Sequence, residues 1–323
     1  MNTVVAMNVK WLGAYTLVLL LVAWGYLGLG HGDYQWWPAT ALQQQIWLEI
    51  RLPRLILAWL NGCALAAAGA TLQIILRNPL AEPGLTGVSA GAAVLITLAL
   101  YFGWLGAMSA WLPLVGILGG ALSLLVLWSI AGSQPSASHL ILAGVAVAAT
   151  AGALMAVILN LAPNPFAYQE LSLWLMGSVA NRGWSQVLLL APCVALGGVL
   201  LWWQRAFIGA HIFDQNTLMS LGFNYAKAMW LVLLAVTALV AGSVVSAGII
   251  GFIGLIAPHI MRLLGTQRPS ELIWRSAFSG GLLLVIVDAL VKWLPTRVEL
   301  HLGVVAAVIG APLLIVMLKR YSR

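Results

Sequence analysis

Ten apolar windows, each bounded by proline, glycine or charge, constrain this chain more than any other feature: 11–29, 53–76, 86–105, 111–131, 138–160, 184–204, 227–247, 250–264, 272–293 and 300–318. About 20 apolar residues carry a helix across a bilayer. In hydrocarbon the backbone must satisfy its own hydrogen bonds, which confines windows of this length to helix. Charged residues make up 7% of the sequence, against roughly 25% in soluble domains. The expected fold is an all-α integral membrane protein, one transmembrane domain over 1–323 with ten spans and short loops. The first window, with Lys10 ahead of it, is too long for a signal-peptide core and lacks a small-residue cleavage site, so it reads as a retained helix.

Charge orients the spans. With the N-terminus in the cytoplasm, that side holds Lys10, Arg77, Arg205, Lys227, Arg262, Arg268, Arg275, Lys319, Arg320 and Arg323, ten cations. The opposite side holds five: Arg51, Arg54, Arg182, Lys292 and Arg297. This bias predicts both termini inside. It also accounts for the net charge of +7; scattered cations form no basic stripe, so nucleic acid is not an expected partner. Cys63 and Cys193 sit singly in apolar runs and offer neither a disulfide framework nor a metal motif.

The stretch Arg51–Gly91 is the most organised part of the chain. An Arg-x-x-Arg start leads into a small-residue helix, an Arg77-Asn78-Pro79…Glu82-Pro83-Gly84 turn, and a second helix opening with Gly87, Ser89 and Gly91. Small residues recur at packing spacing at Gly62 and Gly69, Gly116 and Gly120, and Gly248, Gly251 and Gly254. Close backbone contact through such residues holds helices together in lipid. Tryptophans cluster near span ends, as an interfacial belt requires.

Two connections are longer than the rest. The outer one, 161–183, contains Leu171–Gly177, which reads as a short interfacial helix. In the inner one, 206–226, Asp214, Asn216 and Thr217 can cap a helix and Gly222 can end it. A short capped helix at the inner face has no spanning job and reads as a surface for another protein.

Gly87-Val88-Ser89-Ala90-Gly91 matches the G-x-S-x-G nucleophile elbow, which requires a strand before the serine. Here a Pro-Gly turn precedes it. An intramembrane serine protease would need Ser89 and His259 on facing helices. No histidine pair has metal-ligand spacing and no P-loop is present. Ion coupling calls for mid-membrane acids. Of the eight acids only Asp288 lies within a span, four residues before Lys292, where an i,i+4 pair can neutralise the helix end. Arg51 and Arg54 share a helix face at the outer rim, level with Lys292 and Arg297, and read either as snorkelling cations or as posts for partner carboxylates.

The chain resembles the iron-siderophore, haem and cobalamin importer permeases, the type II ABC importers. The likeness is densest in Arg51-Leu-Pro-Arg54, Arg77-Asn-Pro-Leu-Ala-Glu-Pro-Gly84, Gly87-Val-Ser-Ala-Gly91, Leu142-Ala-Gly-Val145, Gly251-Phe-Ile-Gly-Leu-Ile-Ala-Pro-His-Ile-Met-Arg262 and Gly303 through Gly310-Ala-Pro312. It implies a non-enzymatic permease of the bacterial inner membrane that pairs with a second copy of itself, two cytoplasmic ATPase subunits and a periplasmic binding protein. It further implies that the chain binds no cofactor, with ATP and Mg on the ATPases. The implied cargo is an iron chelate (siderophore or haem), with cobalamin as the alternative.

By the same resemblance, Arg51, Arg54 and Lys292 dock the binding protein, joined by Arg297 from its place at the same level, and Phe213, Asp214, Gln215, Leu218, Leu221 and Gly222 couple to the ATPase. Asn78, Pro79, Gly84, Gly87, Ser89, Gly91, Ser136 and Ser138 belong to the pathway and the inner gate, the last two in the 133–138 loop. Phe213-Asp214-Gln215 stands where many relatives have Leu-Gly-Glu, and Leu218 where alanine is usual, which implies a matched ATPase. Lys292 replaces an arginine, keeping charge but losing the bidentate fork.

Overall fold

The computed structural model describes residues 2–29, 37–106, 109, 111–132, 134–162, 168–169, 172–173, 175–294 and 299–321, with side chains between residues 11 and 315. Arg297, Ser133, Leu171 and Trp174 lie outside the described residues, and with them parts of the expected docking set, gate loop and interfacial helix. The regular elements are helical. They run α1 (Asn2–Gly28), α2 (Ala41–Ile46), α3 (Leu52–Ile75), α4 (Val88–Tyr101), α5 (Leu112–Ala131), α6 (Ala137–Asn160), α7 (Trp184–Trp203), α8 (Arg205–Gly209), α9 (Gln215–Ser220), α10 (Tyr225–Ala247), α11 (Ile253–Leu263), α12 (Pro269–Trp293) and α13 (Leu302–Tyr321). A π-helical turn, Trp47–Arg51, joins α2 to α3 without a break.

Seven of the described helical stretches are long and apolar enough to cross a membrane: Trp11–Gly28, Ala41–Ile75, Leu112–Ala131, Ala137–Asn160, Trp184–Trp203, Tyr225–Ala247 and Pro269–Trp293. Val88–Tyr101, Ile253–Leu263 and Leu302–Ile315 are shorter apolar helices. Large aliphatic side chains stand exposed along α1 (Leu17, Leu20, Leu21), α5 (Leu118, Leu125), α7 (Leu188) and α13 (Val308). A water-facing surface does not carry apolar patches on that scale, so these faces meet lipid or another membrane-embedded subunit.

Helix α3 is the axis of the bundle. Most of its residues are buried, and it packs against α7, α10, α11 and α12. Small residues set those distances. A Cβ on Gly62 would lie 2.2 Å from the Gly280 carbonyl oxygen of α12, and one on Gly69 1.9 Å from that of Gly254 in α11. A polar clamp adds direction. Asn61 Oδ1 accepts from Ser243 Oγ at 2.7 Å and Ser246 Oγ at 3.3 Å, while its Nδ2 donates to Leu57 O at 2.8 Å. Three of the four hydrogen-bonding capacities of this fully buried amide are used within α3 and α10, which offsets most of the cost of burying a polar group.

The small-residue pairing is a mechanical requirement. Gly69→Val places a branched side chain against backbone, which cannot rotate aside, and overpacking of this kind costs about 1–3 kcal/mol. Thermal unfolding of the purified chain should show a clear loss for Gly69→Val. Gly152→Ala, where a Cβ meets nothing within 4 Å, should show none. Equal melting points for the two variants would contradict the packing account.

Candidate functional sites at the two ends of the bundle

The end of the bundle formed by the start of α3 and the finish of α12 carries a buried ionic cluster. Arg54 Nε donates to Asp288 Oδ2 at 2.8 Å and its Nη2 to Asp288 Oδ1 at 2.7 Å, a bidentate fork. Nη2 also bonds Glu299, just ahead of α13, and Tyr26 of α1 donates its hydroxyl to Asp288. Lys292 Nζ lies 4.0 Å from the Tyr26 ring centroid and donates to Tyr26 O at 3.3 Å. Four charges, two of each sign, meet in one place.

This corrects two expectations. Arg54 is only 9% exposed and Lys292 only 7%, so neither is displayed as a post. Asp288 gives its carboxylate to Arg54 and Tyr26, and the i,i+4 pair with Lys292 is not among the described ion pairs. The reason is dielectric: a buried carboxylate needs full hydrogen-bonding compensation, and a planar fork supplies more of it than one ammonium. Of the described docking residues, Arg51 stays partly exposed at the rim, with Nη1 donating to Leu27 O at 2.6 Å.

The opposite end is built around α9. Asp214 occupies the N-cap position of this helix and accepts from the Thr217 hydroxyl, an interaction that holds its carboxyl below the usual carboxylate range. At the other end Gly222, with φ +89°, donates to Met219 O at 3.0 Å, and Phe223 N donates to Leu218 O at 3.2 Å. These paired bonds form a Schellman motif, which needs the left-handed residue that glycine provides. Ile212, Phe213, Met219 and Leu221 are exposed around the helix, whereas Leu218 is 1% exposed. Leu218 therefore anchors α9 in the same buried core that holds Phe207 and Met229 instead of presenting a contact. The larger side chain at this position goes inward.

Hydrogen bonds tie this segment to the turns around it. Arg77 Nη2 donates to Phe213 O, which joins the 77–84 turn to the start of α9. Tyr225 Oη donates to Pro135 O at 3.3 Å, joining the segment's far end to the 133–138 loop. Within the turn, Asn78 Oδ1 accepts from Leu80 N at 2.9 Å ahead of Pro79 and the exposed Gly84. Glu82 Oε1 accepts from Phe252 N at 2.6 Å, at the start of α11. Burial raises the Glu82 carboxyl, and that backbone bond partly opposes the shift. Ser136 caps α6 by accepting from His139 N at 3.2 Å, and Ser138 is exposed beside it.

Gly87 takes φ +73° to close a 3₁₀ turn (Pro83–Thr86) and start α4. No strand precedes Ser89, so the elbow that would expose a nucleophile is not formed. Gly91 is a packing residue: a Cβ there would fall 1.7 Å from Ser123 Oγ of α5. It also borders a cavity of about 260 Å³ between α4, α5 and α6, whose polar lining comes from Ser123 and Thr150.

Two of these arrangements have measurable consequences. Asp288→Asn leaves Arg54 buried with its main partner gone, and breaking a buried ion pair this way costs about 3–5 kcal/mol. Thermal unfolding should show a large drop for Asp288→Asn, partial recovery in Asp288→Asn/Arg54→Leu, and little change for the more exposed Glu299→Gln. The second concerns His211, which packs edge-on against Phe207 at 4.8 Å. Burial lowers its pKa, a bond to the Phe207 backbone opposes this, and the Arg77 charge adds to the lowering. The unfolded chain then takes up a proton that the folded chain refuses, so stability falls as pH drops below the ordinary histidine value of about 6.5. Between about pH 8 and 5 the melting point of the wild type should decline more than that of His211→Asn; parallel profiles would rule His211 out as the source.

Comparison with known proteins places this geometry. The FecCD transport family model matches residues 16–320. The vitamin B12 import system permease protein BtuC of Vibrio cholerae is 38% identical over 285 residues, covering 87% of this chain and 85% of that protein. The Salmonella typhi protein of the same name is 36% identical over 324 residues, covering 98% and 97% respectively. A solved inward-facing structure of a protein assigned to the metal-chelate type of ABC transporter superposes with a TM-score of 0.89 at 31% identity, covering 96% of this chain and 99% of that one. With a match over nearly its whole length, the chain belongs to the FecCD transport family, as a multi-pass permease subunit of an ABC importer in the bacterial inner membrane.

Proposed function

We propose that this permease imports a corrinoid, the cargo class of vitamin B12, in place of the iron chelate that the sequence resemblance put first. The observation that carries the reading is near full-length similarity to permeases named for vitamin B12 import. The metal-chelate neighbour fits as well, since a corrinoid is itself a cobalt chelate. Membership of the family implies a second permease copy, ATPase subunits that hydrolyse the ATP, and a binding protein as partners. The topology is ten spans with both termini in the cytoplasm, the three short apolar helices crossing together with the seven long ones. The chain itself holds no cofactor; ATP and Mg stay on the ATPases.

In this reading α9 is the ATPase dock. Its exposed Phe213, Met219 and Leu221 form the kind of apolar patch that marks a protein contact. Asp214 and Gln215 shape its start, Gly222 its end, and buried Leu218 fixes it to the bundle. Displacement of α9 would pass through Arg77 to the turn holding Asn78, Pro79 and Gly84, and through Tyr225 to the loop holding Ser136 and Ser138. Gly87, Ser89 and Gly91 then move with α4 along the pathway. At the outer end Arg51 meets a binding-protein carboxylate first, with Arg297 as a further post. Arg54 and Lys292 stand behind, held within the ionic cluster with Asp288 and Glu299.

The test is ATP-driven uptake of cyanocobalamin into proteoliposomes holding the permease, its ATPase and the loaded binding protein. Leu221→Glu should reduce uptake by about tenfold or more, the penalty for spoiling one buried contact at a protein interface. Arg51→Glu should weaken binding-protein affinity on a similar scale while leaving basal ATPase activity intact. Uptake indifferent to both changes would sink the docking assignments. A cognate binding protein that purifies with a ferric siderophore and ignores cobalamin would sink the cargo.

A further inference from the structure

Helices α7 and α12 both pack on α3. Between their α9-side ends they leave a cleft of about 390 Å³, floored by Ala67 of α3 and walled by Gly198 and Ile273. Trp202, Arg205 and Ser270 form its mouth. Arg205 directly follows the end of α7 and Ser270 is the second residue of α12, so the mouth sits where two spans terminate. Ala67 lies eight residues before the end of α3, about 12 Å along a helix rising 1.5 Å per residue. The cleft thus runs from headgroup level into the hydrocarbon, polar at the top and apolar below.

The charge at the mouth is arranged for an anion. The Arg205 guanidinium lies 4.2 Å from the Trp202 ring centroid and spends Nη1 on Trp202 O at 3.1 Å. An arginine has five N–H donors in a planar fork suited to phosphate, and Arg205 is exposed, so its outer edge is open to an acceptor. Beside Ser270, the one acid, Glu271, is shared between Arg268 and Arg275, each at 3.3 Å. Arg205 is the charged residue lining the cleft, and the carboxylate next to Ser270 is already committed to other arginines. Basic pockets between helices at the cytoplasmic surface are the sort that take anionic lipid headgroups. A free phosphate would use the rim alone and leave the apolar depth without an occupant.

We propose that this cleft binds one anionic phospholipid, its phosphate held by Arg205 and Ser270 Oγ, with an acyl chain laid along Ala67, Gly198 and Ile273. Assignment to the cytoplasmic leaflet rests on the orientation proposed above; the binding chemistry does not.

The test uses the full chain, purified in detergent, stripped of lipid and examined by native mass spectrometry with phosphatidylglycerol or phosphatidylcholine of matched chains. One phosphatidylglycerol per chain should bind about fivefold more tightly than phosphatidylcholine, the effect of one basic residue on an anionic lipid. Arg205→Gln should abolish that preference, with Arg205→Lys keeping part of it. Gly198→Leu, which fills the cleft and spares the charge, should weaken both lipids. Equal binding of the two lipids, an unchanged preference in Arg205→Gln, or displacement by inorganic phosphate would each overturn the proposal. So would cross-linking of Trp202→Cys between two copies in membranes, which would assign the cleft to a protein interface. A terminal tag found on the outer side would move the site to the other leaflet without altering the binding result, which separates failure of the orientation from failure of the site.

Discussion

Backbone contact along α3 is the constraint on which the rest of the molecule depends. In lipid the apolar side chains of neighbouring helices gain little by leaving one set of hydrocarbon contacts for another, so association rests on close approach and on polar bonds. Gly62 against Gly280 and Gly69 against Gly254 supply the approach. Asn61 with Ser243 and Ser246 supplies the polar bonds. Together they make α3 a stiff rod of 24 residues, about 36 Å long at 1.5 Å per residue. The ionic cluster is mounted at one end of this rod through Arg54, and the 77–84 turn at the other through Arg77. A link between events on the two faces of the membrane has a rigid member to travel through.

The two ends solve opposite problems. At the Arg54 end, charge within the bundle has to be neutralised, and Arg54, Asp288, Glu299, Lys292 and Tyr26 achieve it by satisfying one another. Such a cluster sets geometry more than it adds stability, because desolvation offsets much of the attraction. At the α9 end, apolar surface is left uncovered. Ile212, Phe213, Met219 and Leu221 surround a six-residue helix that is fixed by its caps, by Leu218 and by Arg77. A helix that short has little stability of its own, so its position is set by the connections around it.

Much of the fold was legible in the sequence because lipid leaves a chain few choices. Long apolar windows must be helices, and each of the described long helices covers such a window, although Ala41–Ile75 begins well before its window at 53. The helix ends were equally readable: Asp214 stands at the N-cap position and accepts from the Thr217 hydroxyl, and Gly222 closes the far end, both through near neighbours in the chain. The glycines of α3 were readable as packing residues, but Gly280 and Gly281, which face Gly62, were not, since spacing within one helix does not reveal its partner. Side-chain direction was the main loss. Arg54 and Lys292 looked like displayed cations and are buried, while Leu218 looked like a contact and is an anchor.

The sequence by itself therefore determined the solvent, the helical class, the caps and the family, because each follows from composition or from bonds between residues near in the chain. The tertiary structure decided which charges face each other, which face of α9 is free and where a cleft opens beside Arg205. These depend on the rotation of each helix about its axis. In a bundle that rotation is set by backbone contacts between residues up to some two hundred positions apart, such as Gly62 and Gly280. The stretch Arg51–Gly91 shows both halves: its motifs announced a transport core, and only the packing showed which of its two outer arginines is turned inward.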